Sequence, residues 1–446
     1  MVASGRIAYL ARKAGEYGVE VQVGGVDMAV VRQRKRDIVD SFRGGGERRT
    51  TGVEGLDVMM GEGSFTGKER EVKVKFGDEE QGKEELVKAK KWVFISVGER
   101  PAVPKLEGLE HIMSSMPERV LNSTSIMELD EVPESLIVLG GGYVGLEFAQ
   151  LFRRLGAEVH VVQRAKQVLP REDPEVVEVL QDLLREEGLH LHLGTEAISI
   201  ASGEASKPLT LRIRPVGGKD DDGNAQDIQG SHILLAAGRV PNTDTLNLSG
   251  TGIETNDRGY MIVNEQLETS VPGIYALGDC KGPPAFTHVS YDDFRILRDN
   301  LGLAPKPTSP LDKPPSPHTT SARKNLTPYC CFTDPQLAHV GLHLSSIPPS
   351  QRHNIQTASW PMSWVARGLE TAETRGMLKA VVNKDTGEIL GFTALAPEGG
   401  EMMTVVQMAM MGGLKWWDLR EAVFAHPVWS EALNNIWGVL KDVPVE

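Results

Sequence analysis

Three glycines, Gly140, Gly142 and Gly145, stand in the stretch SLIVLGGGYVGLEFAQ at the spacing G-x-G-x-x-G, after an apolar run and before an amphipathic one. The first permits a tight turn, the second lets the backbone approach a pyrophosphate, and the third lets a helix pack closely on a strand. The helix that follows points its unpaired N–H groups at the anion. The end of the next strand reads the ribose, because an acid there suits a 2′-hydroxyl and a cation suits a 2′-phosphate. Here Gln163 is followed by Arg164 and Lys166, which favours NADP over NAD unless both cations simply point into water.

Two other segments repeat one idea. VGERPAVP at 97–104 and AAGRVPNTDTLNL at 236–248 each carry a strand end, a glycine (Gly98 and Gly238), an arginine and a proline, as a chain needs when it crosses between two nucleotide domains. In GIYALGDCKGPPAFTHVSYDD the strand IYAL delivers Gly278 and Asp279 to its carboxyl end, where an open α/β sheet places its ligands.

The elements that must position these residues follow from hydrophobic period. Residues 4–18 and 27–43 read as helices, with Ile7, Leu10 and Ala11 on one face of the first and Val30, Val31, Ile38 and Val39 on one face of the second. EVKVKF from Glu71 alternates as a strand, and WVFISVG at 92–98 reads as a buried one. A strand over 136–142, a helix over 143–155, a strand over 158–163 and a helix over 174–187 then give the order βαβα of an α/β fold with a parallel, doubly wound sheet. LTLRIRPV at 209–216 reads as an antiparallel excursion before the buried strand HILLAAG, and the acidic loop GGKDDDGNAQD as a solvated turn. Residues 303–326 are rich in Pro, Ser and Lys and read as a linker. A separate domain of strands and apolar helices begins after it.

Charge and composition limit the function classes. A net charge of -13 repels a phosphate backbone, which argues against nucleic acid as a partner. The basic run RQRKR at 32–36 reads as a solvated helix face rather than a localisation signal. No apolar run approaches the length of a membrane span. Three cysteines give no disulfide framework and fit a reducing compartment. The amphipathic, basic N-terminal stretch reads as a structural helix rather than a mitochondrial presequence, so the cytoplasm is the expected location.

Together these residues resemble the flavoprotein disulfide reductases, which include glutathione reductase, dihydrolipoamide dehydrogenase and mercuric reductase, and most of all the mercuric-reductase-like branch. The resemblance implies a fold of two Rossmann-like units, an FAD domain split by an inserted NAD(P) domain, followed by an α+β dimerisation domain. By that match, residues 1–132 and 251–302 form the FAD domain, 133–250 the NAD(P) domain, 303–326 a linker and 327–446 the interface domain. FAD and NADP or NAD are the implied cofactors, hydride passing from NAD(P)H to flavin and on to a small thiol, disulfide or metal acceptor. Asp279 resembles the aspartate that binds the flavin ribitol, and Gly98 lies at the first crossover beside the flavin. Glu147 resembles a glutamate near flavin and nicotinamide, and Gly238 the crossover glycine near the nicotinamide. In FAHPVWSEALNN, His426 and Glu431 fill the places of a histidine held by a carboxylate that reaches across the dimer into the partner's active site. Without the family, that pair would read as unrelated surface groups.

The sequence departs from the family at its beginning. The family opens with a glycine-rich FAD turn and a redox-active C-x4-C on a helix, and neither pattern occurs in these 446 residues. The chain is expected to be truncated ahead of its first residue, and as it stands to hold FAD poorly and turn over little. A working oxidoreductase lacking its beginning is favoured over a degenerate, non-catalytic nucleotide-binding or dimerisation protein, because His426, Glu431, Asp279 and the glycine turn are retained. Cys280 reads as a small buried residue, and Cys330 and Cys331 as structural, since adjacent cysteines rarely form an unstrained disulfide. No metal-ligand set is read from the sequence. The Met-rich stretch EMMTVVQMAMMGGL at 401–414 is expected to build a homodimer interface, burial within one subunit being the alternative.

Overall fold

The computed structural model describes residues 1–77, 82–202, 207–218, 223–304, 319–323 and 325–444. The chain divides into two compact units, the first made of Met1–Arg36, Ala102–Gly238 and Asn325–Glu446, the second of Asp37–Pro101 and Arg239–Lys324.

The first unit is built on a parallel sheet in the order Val120–Leu121, His232–Leu235, Ser135–Leu139, Glu158–Gln163, Leu189–Leu193. Its central strand is buried throughout from Leu136 to Leu139, as the unbroken apolar run LIVL requires of a strand covered on both faces. The helices Tyr143–Leu155 and Pro174–Glu186 lie along it in sequence. Pro174 occupies the first helical turn, where its missing N–H costs nothing. The sheet Thr195–Ser202, Leu209–Pro215, Gln226–Gly230 is antiparallel, and its Ile200, Leu211 and Ile213 pack with Ile137, Leu139 and Val162. A six-stranded antiparallel sheet, ordered Tyr329–Cys331, Gln336–Gly341, Ile389–Ala396, Met377–Asn383, Ile355–Pro361, Lys441–Asp442, forms the C-terminal part.

Both N-terminal helices are present, over Val2–Lys13 and Met28–Thr51, but their buried faces differ from the expected ones. In the first, Gly5 and Ala8 are buried and Ile7 is exposed. The small residues allow close approach, since a Cβ on Gly5 would fall 2.8 Å from Leu151 Cδ1. In the second helix only Met28 is buried, while Val30, Ile38 and Val39 are exposed. Ile7, Val30 and Val31 instead line an apolar groove of about 600 Å³.

Buried Arg154 ties the first unit together. It donates to Glu187 through Nε and Nη2 at 2.9 and 2.7 Å, pairs with Asp334, and lies 4.1 Å from the centre of the Tyr9 ring. Such planar, bidentate pairing is what a buried guanidinium needs to offset its desolvation.

The second unit contains the meander Gly61–Phe65, Glu71–Phe76, Glu84–Lys88, the parallel pair Val93–Ile95 and Ile274–Ala276, and the antiparallel pair Glu99–Pro101 and Arg239–Pro241. Phe65, Ile95, Met261, Ile274 and Cys280 share its core. Residues 219–222 of the acidic turn and 305–318 of the Pro-rich linker lie outside the described residues, and the last two residues of the turn already belong to the strand Gln226–Gly230.

Candidate functional site: a glycine turn, a strand-end aspartate and a histidine–carboxylate pair

Five of the residues read from the sequence line one cavity. Gly140, Gly142, Gln163, Arg164 and Gly238 surround a space of about 690 Å³ together with Pro104, Lys105, Thr195 and Glu196. The turn is knit from both sides, Gly140 N–H donating to Val162 O at 2.9 Å and Leu169 N–H to Gly141 O at 2.9 Å. Gly140 has φ +113°, and a Cβ there would fall 2.4 Å from Ala236 O. Gly145 lies beneath the turn, where a Cβ would meet Gly140 O at 2.0 Å. Gly142 is the contrasting case, with nothing within 4 Å of its missing Cβ. It caps the helix Tyr143–Leu155 without a side-chain hydrogen bond, so the helix terminus offers its N–H groups and dipole to whatever fills the space. The cavity therefore fits a pyrophosphate on chemical grounds.

The ribose-reading strand end is more occupied than the sequence suggests. Gln163 Oε1 accepts the Gly141 N–H at 3.1 Å. Arg164 is largely exposed and lies 3.8 Å from Glu196 Oε2, while Glu196 Oε1 accepts Arg214 Nε at 2.9 Å. Lys105 and Glu196 were not singled out from the sequence. Glu196 sits on a strand more than thirty residues after Gln163, and no local pattern marks it.

Glu147 is not among the cavity's lining residues. Its carboxylate accepts the Phe332 N–H at 2.8 Å, and burial pushes its pKa up. It also acts on the adjacent cysteines. Burial first, then the Glu147 charge, pushes the Cys330 thiol up to about 12, and the fully buried Cys331 well above its ordinary value. Both are free. Neither is a ready thiolate near neutral pH, in keeping with a structural role.

In the second unit the parallel strands Val93–Ile95 and Ile274–Ala276 end side by side, with Leu277 N–H donating to Ile95 O at 3.0 Å. Cys280 follows this strand end, and its buried thiol donates to Ile95 O at 3.5 Å and to Leu277 O at 3.2 Å. Gly278 has φ +70°, and its N–H donates to the fully buried Asp293 Oδ2 at 2.8 Å. Lys281 pairs with the same oxygen at 3.3 Å, and Arg323 with the other. Asp279 is half-buried at the strand's carboxyl end. Its carboxylate accepts no hydrogen bond from another described side chain.

The last pair is intact. His426 Nδ1 lies 3.0 and 3.1 Å from the two oxygens of Glu431. The carboxylate holds the Nδ1 proton and leaves Nε2 for proton transfer, with the imidazole 65% exposed. On the helix Gly399–Met411, Met402, Met403 and Val406 are buried, while Met408 and Met411 are 52% and 60% exposed. One face thus belongs to the core and the other remains outside it.

Among the described residues no helix is long and apolar enough to cross a membrane. Residues 8–293 match the family model described as pyridine nucleotide-disulphide oxidoreductase, and residues 327–436 match its dimerisation domain. The chain is 30% identical to the probable pyridine nucleotide-disulfide oxidoreductase RclA of Escherichia coli over 92% of its own length and 85% of that protein's. It is 30% identical to a mercuric reductase of Staphylococcus aureus, covering 97% of this chain and 72% of the relative. A dihydrolipoyl dehydrogenase of Bacillus subtilis is 27% identical, covering 98% and 86%. A solved Cu(II) complex of the HOCl-induced flavoprotein disulfide reductase RclA from Escherichia coli superposes with a TM-score of 0.81 at 29% identity, over 98% of this chain and 89% of that one. Glycine turn, crossover strands and dimerisation sheet are thus parts of one known architecture, and the chain belongs to the pyridine nucleotide-disulphide oxidoreductases.

Proposed function

We propose that this chain is an FAD- and NAD(P)H-dependent oxidoreductase of the mercuric-reductase-like branch, passing reducing equivalents to a disulfide or metal acceptor. The observation that carries the reading is the cavity lined by Gly140, Gly142, Gln163, Arg164 and Gly238, whose turn leaves room at Gly142 for a pyrophosphate. Arg164 and Lys105 supply cations for a 2′-phosphate, which makes NADPH the preferred donor. Glu196, close to Arg164, sets a limit on that preference.

Asp279 offers its carboxylate to the hydroxyls of the flavin ribityl chain, and Asp293 holds the Gly278 turn that presents it. Bound flavin supplies the two-electron chemistry between nicotinamide and acceptor. His426 moves protons at Nε2 toward an acceptor sulfur, oriented by Glu431 at Nδ1. The exposed Met408 and Met411 face meets a second copy of the chain, and His426 acts in the partner's site.

The test is titration of the purified chain with NADPH and NADH, followed by NADPH oxidation with a disulfide acceptor. NADPH binding that Gly142→Ala abolishes supports the reading. Binding untouched by that change overturns it.

A further inference from the structure

Two strands of the parallel sheet carry histidines that the nucleotide chemistry does not use. LHLHL at 189–193 places His190 and His192 on one face of the edge strand, two residues apart. In the neighbouring strand His160 pairs with His190 and Val162 with His192, so His160 joins them on that face. The rings of His160 and His190 stack at 4.6 Å, and those of His160 and His192 at 5.4 Å. Glu158 closes the group. Its Oε1 lies 3.4 Å from His160 Nε2 and 3.6 Å from His190 Nε2.

These separations have a chemical meaning. Nitrogen or oxygen ligands about 2.05 Å from a tetrahedral zinc stand about 3.4 Å apart. The donor atoms of Glu158, His160 and His190 all lie within 4.8 Å of one another, so a modest rotation of the half-exposed His190 closes the triangle. His160 Nδ1 faces His192 Nε2 at 3.1 Å. A proton held there on Nδ1 leaves the Nε2 lone pair of His160 aimed at Glu158, which is how the second ring nitrogen of a ligating histidine is ordinarily used.

We propose that Glu158, His160 and His190 form a surface site for a first-row divalent transition metal, with His192 orienting His160. Two imidazoles and one carboxylate suit zinc, copper, nickel or iron rather than calcium or magnesium. Glu158 and His190 are 59% and 53% exposed in their side chains, which gives an ion a path in and leaves a coordination position to water. The group sits at the start of the Glu158–Gln163 strand, whereas Gln163 at its other end lines the nucleotide cavity. Metal and dinucleotide therefore do not compete for ligands.

The test is calorimetric titration of the chelator-treated full chain with Zn2+ alone. One equivalent should bind at about micromolar affinity or tighter. His160→Gln and His190→Gln should each weaken it at least about a hundredfold, and His192→Gln about tenfold with stoichiometry kept. On the unaltered chain, Zn2+ should also protect His190 from carbethoxylation, read by peptide mass spectrometry, so that a misfolded variant does not decide the matter. Absence of a one-equivalent site, affinity unchanged in both His160→Gln and His190→Gln, or no protection of His190 overturns the proposal.

Discussion

The side-chain oxygen of Gln163 accepts the backbone N–H of Gly141 at 3.1 Å, fastening the ribose-reading strand end to the glycine turn. With Gln163 so engaged, its neighbours are the residues we expect to discriminate between the two nicotinamide cofactors. Arg164→Ala should lower NADPH affinity about tenfold, or ~1.4 kcal/mol, while NADH affinity changes less than about twofold. Glu196→Gln should raise NADPH affinity several-fold. Calorimetry with both cofactors checks this, and equal losses for both would assign Arg164 to the pyrophosphate instead.

Gly142 and Gly145 should respond oppositely to the same substitution. Gly142→Ala meets no neighbour and has φ -84°, which alanine adopts freely, so the melting temperature should hold while dinucleotide binding is lost. Gly145→Ala drives a methyl group onto Gly140 O and should cost about 2 kcal/mol or more of stability. Thermal melts beside NADPH titrations separate the two.

In protein given a redox-active C-x4-C pair and reconstituted with FAD, His426→Ala should slow disulfide reduction about a hundredfold or more and leave flavin reduction by NADPH near its original rate. Glu431→Gln should give an intermediate loss, because the imidazole stays but its orientation loses its carboxylate support. Stopped-flow flavin reduction against steady-state turnover reads the difference. Equal slowing of both steps would remove His426 from the thiol chemistry.

His339 is 2% exposed, donates Nε2–H to Gly341 O, and has its pKa pushed down to about 3 by burial, then by neighbouring His343. Above about pH 6.5 neither folded nor unfolded chain protonates this ring, and its contribution to stability is fully present. Between about pH 6.5 and 3 only the unfolded chain takes up the proton, so stability falls as pH falls, by up to ~1.4 kcal/mol per unit. Chemical denaturation at pH 7 and 5 should show this loss, and His339→Gln should flatten it.

Arg154→Met should destabilise the chain by about 2–3 kcal/mol, because Glu187 and Asp334 would lose their most buried cation while Glu187 keeps Arg375 and Gln150 and Asp334 keeps Arg6. Substituting Arg164, which is exposed, should shift stability by less than ~0.5 kcal/mol. Unfolding curves of the two variants compare them directly.

The glycine turn, the helix Tyr143–Leu155 and the strand Glu158–Gln163 were legible from the sequence because period, breaker residues and turn chemistry are local properties. His426 and Glu431 were legible only through the family's flanking pattern, since nothing local marks two residues five apart as a pair. Tertiary structure alone decided which face of the first helix is buried, because close approach of Gly5 to Leu151 outweighs the exposed Ile7. It alone brought Glu196 to Arg164 from a separate sheet, and Glu158 and His160 to His190 by strand pairing across some thirty residues. It also joined Gln163, which lines the cavity, to the Gly141 N–H of the turn. Register and side-chain direction are set by the packing of whole strands, and a single position in the sequence carries no record of the strand that will lie beside it.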